Sequence, residues 1–303
     1  MARSVLNAPQ FQTEAEAFAY VEARLWPNGP VCPHCNEADR IGKLNGKTTR
    51  MGLHKCYACK KPFTVRMGTI FESSHLPLHL WLQIIHLMCA SKKGISTRQI
   101  QRMLNCSMKT AWFLGHRIRE AMTDTNGKIG GLGVTVEADE TYLNRSKKTK
   151  KAAGLLPHQK GGEQVFALVE RGGKQRSVFL DHTNVRAALS AHLDRGSRLV
   201  TDGARHYRHA MMSKSHESVD HNKGEYVRGD VHTNNLEGFF SILKRGLVGI
   251  YQHVDKKHLQ RYLAEFDFRH NTREKLEIND TMRADIALLG FVGKRLTYQT
   301  TGA

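Results

Sequence analysis

Three acids and four cysteines are the residues whose types and spacing could do chemistry here. Val134 to Tyr142 alternates apolar and polar residues. As a strand, it puts Val134, Val136 and Ala138 on one face and Glu137, Asp139 and Thr141 on the other. The apolar piece Leu199-Val200 ends in Thr201-Asp202-Gly203, and an acid just past a strand's carboxyl end can project into a crevice. In His232 to Arg245, Leu236, Phe239, Phe240 and Leu243 recur at helical spacing and form a core stripe. Glu237 and Lys244 fall on a different stripe, two turns apart and pointing the same way, with Thr233 or Asn234 as the cap. Taken singly, each acid reads as a surface charge or a cap. Together, on a strand, a strand end and a helix, they suit two-metal phosphoryl transfer. Mg²⁺ prefers hard oxygen ligands. Two such ions about 3.5–4 Å apart activate the attacking oxygen and stabilise the leaving one. Glu137 shares Asp139's face and is a rival that could aid metal binding, whereas Glu140 points to the other face.

The cysteines form two knuckles, Cys32-Pro-His-Cys35 and Cys56-Tyr-Ala-Cys59. Each two-residue turn puts two thiolates on one side of a tetrahedron, and the separation is that of a zinc ribbon. One structural Zn²⁺ would join hairpins too small to hold a core of their own. With four cysteines the shell is closed, so His34 and His54 are minor candidates and this zinc is not catalytic. Cys89 and Cys106 sit in apolar helical contexts and read as core thiols. Knuckle spacing without a disulfide pattern points to a reducing, intracellular compartment.

The elements that must position these groups differ along the chain. Thr13 to Leu25 reads as a helix, closed by Pro27, Gly29 and Pro30. Leu80 to Met88 is an apolar helix. Ile95 to Leu104 and Lys109 to Arg119, with Ser96 and Ser107 as N-caps, give a helix, a short turn and a basic helix. That order resembles a helix-turn-helix, whose second helix would offer Lys109, His116, Arg117 and Arg119 to DNA. Ile95, Ile100, Met103 and Leu104 form one buried stripe; Trp112, Ile118 and Met122 form another. The glycines from Gly127 to Gly133 read as the main linker. Strands are expected at Val165–Val169 and Ser177–Leu180, and a last helix near Ile278–Leu289.

Composition agrees with this reading. Of 303 residues, 46 are Lys or Arg and 28 are Asp or Glu, a net charge of +18 that favours a polyanionic partner, DNA first. A hydrophobic share of 40% supports a buried core and excludes a wholly disordered chain. No apolar run is long enough to span a membrane, and no signal peptide is expected. Between Tyr142 and Gly162, Arg145, Lys147, Lys148, Lys150, Lys151 and Lys160 occur with no acid, which favours phosphate contacts with steep salt dependence.

The motifs together resemble the IS1595-type insertion-sequence transposases with their ISXO2-like DDE domain, from about residue 12 to 272. The resemblance is carried by the two knuckles, Arg66-Met67-Gly68-Thr69-Ile70-Phe71-Glu72, Lys109-Thr110-Ala111-Trp112, Asp139-Glu140-Thr141-Tyr142, Thr201-Asp202-Gly203, His232-Thr233-Asn234 with Glu237, and Lys244-Arg245-Gly246. Tyr251-Gln252-His253-Val254, His258 to Tyr262 and Glu265-Phe266-Asp267-Phe268-Arg269 also match. The resemblance implies an α/β protein with an RNase H-like mixed-sheet catalytic domain at 132–272. Ahead of it stand an N-terminal helix at 1–30, a zinc ribbon at 31–72 and the helix-turn-helix-like segment at 73–125. A tail follows at 273–303.

It also implies that Asp139, Asp202 and Glu237 bind two Mg²⁺ or Mn²⁺ ions, that Lys244 holds DNA phosphate, and that Asn234 and Asn235 are polar candidates for substrate or metal-water contacts. Arg245 joins the DNA-binding candidates. The activity implied is cleavage at transposon terminal inverted repeats, exposing 3′-hydroxyls that then attack target DNA. A homo-oligomer follows, because two ends are joined together. A cytoplasmic, nucleoid-associated protein of a bacterium or archaeon follows as well. Two other readings stay open at this point: a non-catalytic DNA-binding regulator derived from a transposase, and an RNase H-like nuclease.

Overall fold

The computed structural model describes residues 4–124, 127–143, 162–181, 183–204, 207 and 215–296. The chain divides into two compact units. One is made of residues 1–123 and 273–303, the other of 124–272. The residues after 272, expected as a tail, therefore belong with the amino-terminal part.

In the first unit, helix α1 (Glu14–Leu25) is capped by the Thr13 hydroxyl, which accepts from the Glu16 N–H. Strands β1 (Ile41–Lys43), β2 (His54–Cys56) and β3 (Pro62–Phe63) form a small antiparallel sheet in that order. Its core is Cys32, Cys56 and Phe63, with Trp26 and Ile41 against them. Trp26, His54 and Phe63 meet ring to ring at 5.3–5.8 Å. His54 is thus a packed ring whose Nδ1 faces the Gly52 carbonyl at 3.2 Å, rather than a thiolate substitute.

Helices α2 (Leu78–Ala90), α3 (Thr97–Leu104) and α4 (Met108–Ala121) follow. Ser96 and Ser107 cap α3 and α4 as the sequence predicts. Asn105 ends α3 in the left-handed region at φ 46°, a conformation asparagine tolerates. The predicted stripe on α3 is only partly buried: Ile95 and Ile100 are in the core, but Met103 is 47% exposed. Cys89 is buried, whereas Cys106 is half-buried.

Arg66 to Glu72 is a self-bonded turn. Gly68 takes φ +70° and donates its N–H to Glu72, while the Thr69 hydroxyl donates to the Arg66 carbonyl. The Arg66 guanidinium donates to the Ser74 and Leu76 carbonyls at 3.0 and 2.7 Å. Among the described residues, no helix is long and apolar enough to cross a membrane.

The second unit is a mixed α/β layer. Strands β4 (Thr135–Leu143), β5 (Glu163–Glu170), β6 (Gln175–Phe179), β7 (Arg198–Asp202) and β8 (Ser215–Val219) form one sheet in the order β6-β5-β4-β7-β8. The β4–β5 and β5–β6 pairs are antiparallel; β7 runs parallel to β4, and β8 to β7. Helix α5 (Val185–His192) covers one face over Val136, Ala138, Phe166 and Leu168. Helices α6 (Asn234–Gly246) and α7 (Leu259–Asn271) pack with the opposite face, over Leu143, Val165, Ala167 and Val169. All four residues of the predicted α6 stripe are buried in that core. Helix α8 (Asp280–Leu289) returns to the first unit, where it packs on α2 and α1.

Glycine matters at Gly130, where φ is +97° and a Cβ would stand 2.0 Å from the Ser197 hydroxyl oxygen.

Candidate functional site

The parallel pairing of β4 and β7 decides the site. Thr135 to Ala138 register with Arg198 to Thr201, so Asp139 and Asp202 each come one residue after the last registered pair, on neighbouring strands. Asp139 lies on the face that packs against α6, opposite the Val136–Ala138 face. Its carboxyl is pushed up from the ordinary 3.8 to about 7. Burial is the largest cause, followed by the negative charges of Asp202 and Glu140, with Glu237 also contributing; a hydrogen bond from the Glu140 N–H opposes them. Glu237 is in the first turn of α6 and exposed. Lys244 and Arg245 are exposed in the last turn of the same helix. Asp202 closes β7 and accepts from the Ala204 N–H at 3.2 Å.

The residues around the acids take different roles. Glu140 turns to the α5 side, as strand alternation predicts, and accepts a 2.6 Å hydrogen bond from the buried Tyr207 hydroxyl. Burial, with the Glu140 charge second, raises that phenol well above its usual range, so it stays a neutral donor. Glu137 shares Asp139's face, and both of its oxygens take protein donors. It accepts from the Asn235 backbone N–H at 3.1 Å, from Asn235 Nδ2 at 2.7 Å and from Arg171 Nε at 2.9 Å. This changes two expectations. Glu137 is tied to protein donors rather than turned to a metal, and Asn235 is tied to Glu137 rather than to substrate. Thr233 stands at the α6 N-cap without a side-chain bond. The strand carboxylate supplies the acceptor instead.

The family-like segment on α7 is also structural. Asp267 accepts from the Ser177 N–H at 2.6 Å, the Ser177 hydroxyl at 2.7 Å and Gln175 Nε2 at 2.8 Å, which fastens the edge strand β6. Glu265 pairs with Arg269 at 2.5 Å and accepts from the Tyr251 hydroxyl at 2.8 Å. Sequence reasoning missed Tyr207, Arg171 and these two acids as parts of the framework. An acid on an inward face at i, i+4 from arginine was the available signal for Glu265.

The four knuckle sulfurs all lie within 4.8 Å of one another. The Cys32–Cys59 and Cys35–Cys56 separations are both 3.7 Å. A tetrahedral shell with Zn–S near 2.3 Å has edges of about 3.8 Å, whereas a disulfide holds its sulfurs about 2 Å apart. Cys56 is lowered to about 7, chiefly by the Cys59 N–H. The Glu37 N–H lowers Cys35, but burial and the surrounding thiols outweigh it and take Cys35 up to about 12. Four cysteine sulfurs at this spacing form a donor set that fits a structural zinc. Among the described residues this is the one closed cluster of metal-ligating side chains.

The expected DNA contacts separate into three groups. Lys109 is exposed in the first turn of α4. Arg117 and Arg119, expected to face a groove, are buried. Arg117 donates to the carbonyls of Ile70, Glu72 and Leu296 at 2.8, 2.9 and 3.2 Å, so it is a framework residue of the first unit. Its side chain returns to the core because the Arg66–Glu72 turn and the C-terminal segment offer carbonyls there. Arg145, Lys147, Lys148, Lys150, Lys151 and Lys160 lie outside the described residues.

Comparison with known proteins agrees with this division. A model described as the transposase zinc-ribbon domain matches residues 12–62, so the matched segment takes in α1 as well as the knuckles. A model described as the ISXO2-like transposase domain matches residues 130–271, which contain all three acids and Lys244. A curated relative described as an uncharacterized protein in transposable element ISH50 of Halobacterium salinarum is 27% identical over 282 residues, spanning 88% of this chain and 93% of its own. The two models together cover more than half of the chain, and with both domains in place it belongs to the IS1595-type insertion-sequence transposases.

Proposed function

We propose that this transposase-family protein cuts transposon ends and joins them to target DNA, using Asp139, Asp202 and Glu237 as the acids that hold two Mg²⁺ or Mn²⁺ ions. The observation that carries the reading is that Asp139 and Asp202 each follow the last registered pair of two parallel strands, Ala138 and Thr201, and that the charges of Asp202 and Glu237 both raise the Asp139 carboxyl. Such a concentration of negative charge on a partly buried carboxylate is what a divalent cation relieves. The sheet order, with β5 and β6 antiparallel and β7 and β8 parallel to the strands beside them, supports an RNase H-like catalytic domain. When bound, the ions would supply charge neutralisation at the attacked phosphate and a more acidic nucleophile.

The chain's own groups do the rest. The neighbouring ends of β4 and β7 would supply two carboxylates, and α6 the third from above the sheet. Lys244, two turns beyond Glu237 on the same helix, would hold a DNA phosphate as a point charge, with Arg245 beside it. In the cleavage step, water adds to the phosphorus at the transposon end; the bond to the 3′-oxygen breaks and that oxygen leaves as a hydroxyl. In the joining step, the 3′-hydroxyl attacks a target phosphodiester. A new P–O bond forms, the target P–O3′ bond breaks, and the proton ends on the released target hydroxyl. No protein nucleophile is needed, so Ser241 and the tyrosines stay outside the chemistry.

DNA is then both substrate and partner, met in the cytoplasm at the nucleoid. The exposed Lys43, Lys47, Arg50, Lys60 and Lys61 of the ribbon, the exposed start of α4 and the lysine-rich segment after β4 would gather it. A homo-oligomer is expected, since two ends must be held at once.

The test is incubation of the zinc-loaded protein with labelled terminal-repeat DNA and a plasmid, with and without Mg²⁺, beside Asp202→Asn. Metal-dependent 3′-end nicks and joined products that vanish in the variant support the assignment. Equal products from the variant refute it.

A further inference from the structure

Glu137 is the one acid on the inner face of β4 that is completely buried, at 0% exposure. Both of its oxygens are used. Oε1 accepts from Arg171 Nε at 2.9 Å and from Asn235 Nδ2 at 2.7 Å, and Oε2 accepts from the Asn235 backbone N–H at 3.1 Å. Asn235 is the second residue of α6, and its N–H is one of the donors a helix start leaves without an internal partner. Thr233, at the cap position, makes no such bond. A carboxylate from the central strand therefore caps the helix across the sheet, and its charge also suits the positive end of the helix dipole.

The spacing gives the cap its consequence. Glu137 is two residues before Asp139 on one strand face, and Asn235 is two residues before Glu237 on one helix. The bond thus ties the strand of the first acid to the helix of the third. Arg171 braces the same junction, because its Nη2 donates to the His232 carbonyl at 3.1 Å while its Nη1 lies 3.7 Å from Asp230. Asp230 is held in turn by Arg198 at the start of β7, the strand that ends in Asp202. One buried carboxylate is accordingly linked to all three elements that carry the site.

We propose that Glu137 is a positioning residue that sets the separation of Glu237 from Asp139 and so tunes divalent-metal binding, without itself being a ligand. The proposal rests on the reading of Asp139, Asp202 and Glu237 as the metal-holding acids. Groups that orient metal ligands in this way typically change affinity by about 10–100-fold when replaced. Glu137→Gln keeps the volume but turns an amide N–H₂ toward donors. Asn235→Ala removes one of the three bonds and leaves the strand intact.

The experiment measures Mn²⁺ binding to the full zinc-loaded chain by electron paramagnetic resonance, together with amide hydrogen exchange at residues 234–238. The expected result for Glu137→Gln is faster exchange in that segment and an Mn²⁺ dissociation constant raised about tenfold, with the wild-type number of ions still bound at saturation. Asn235→Ala should show the same changes at smaller size, and it decides the matter if Glu137→Gln does not fold. Loss of one bound ion in Glu137→Gln overturns the proposal in favour of a ligand role. A lowered melting temperature with wild-type metal affinity in both variants overturns it in favour of a purely structural role. Asp139→Asn separates the two layers. If that variant leaves Mn²⁺ binding unchanged, the metal reading itself fails; if it abolishes binding while both Glu137→Gln and Asn235→Ala bind as wild type, only the anchor fails.

Discussion

Replacing Asp139 by asparagine should stabilise the magnesium-free protein at pH 8 while it abolishes strand cleavage. The carboxyl is raised from 3.8 to about 7 by burial and by neighbouring negative charge. Between those values the folded state keeps a proton that the unfolded state has lost, so stability falls as pH rises through the window. The full shift corresponds to at most about 4 kcal/mol, because one pKa unit is worth about 1.4 kcal/mol. Relaxation and water penetration in a partly open crevice reduce that to about 1–3 kcal/mol. Asparagine removes the charge and keeps the oxygen that accepts the Glu140 N–H at 2.7 Å. For a unit of this size, the gain is a melting temperature roughly 3–10 °C higher at pH 8. The assay is calorimetry of the full chain in zinc-replete, magnesium-free buffer from pH 4.5 to 8.5. The advantage of the variant should shrink toward pH 5, where the wild-type group is already protonated. Added Mg²⁺ should stabilise wild type at pH 8 and leave the variant unmoved. A difference that is the same at pH 5 and pH 8, or a variant less stable at both, would refute the electrostatic account.

Two further outcomes follow from the framework. The ribbon core is only Cys32, Cys56 and Phe63 with a few neighbours, so zinc removal or Cys56→Ser should unfold residues 26–63 locally, and atomic absorption should find one zinc per folded chain. Circular dichroism of an apo-protein with an unchanged ribbon signal would contradict this. Asp267→Ala should destabilise the second unit by about 1–3 kcal/mol, because three donors from Gln175 and Ser177 lose their acceptor in a buried site. Denaturant melts should register the loss, together with faster amide exchange in β6.

Much of the site was legible because it is written in local periodicity. The period-two strand around Asp139, the helical stripe of Leu236, Phe239, Phe240 and Leu243, and the serine caps at Ser96 and Ser107 all appear where the residues predict them. The knuckles were equally plain, since two C-x-x-C turns have few other uses. Each of these signals depends on residues within a turn or two of one another, where backbone geometry alone fixes which side chains share a face.

The direction of long charged side chains was less legible. Lysine and arginine stems can lie along either a wet or a dry surface, and the difference is set by distant acceptors. Arg117 and Arg119 read as groove-facing on a basic helix, yet both are buried, Arg117 on carbonyls that come from residues 70, 72 and 296. Glu137 and Asn235 read as candidates for metal or substrate, yet they bind each other across 98 positions of sequence.

The sequence by itself determined the elements, the two cysteine knuckles and the three acids as candidates, because composition and spacing act at short range. Only the tertiary structure decided which acids become neighbours. Asp139 and Asp202 become neighbours because β7 pairs parallel to β4, with Ala138 and Thr201, the residues just before them, in register. Asn235 reaches Glu137 because α6 packs over that same face. The segment after residue 272 joins the first unit because α8 finds its apolar partners on α1 and α2. Such pairings depend on the free energy of contacts between segments far apart in the chain, against the entropy of closing the loops between them, and no local pattern records that balance.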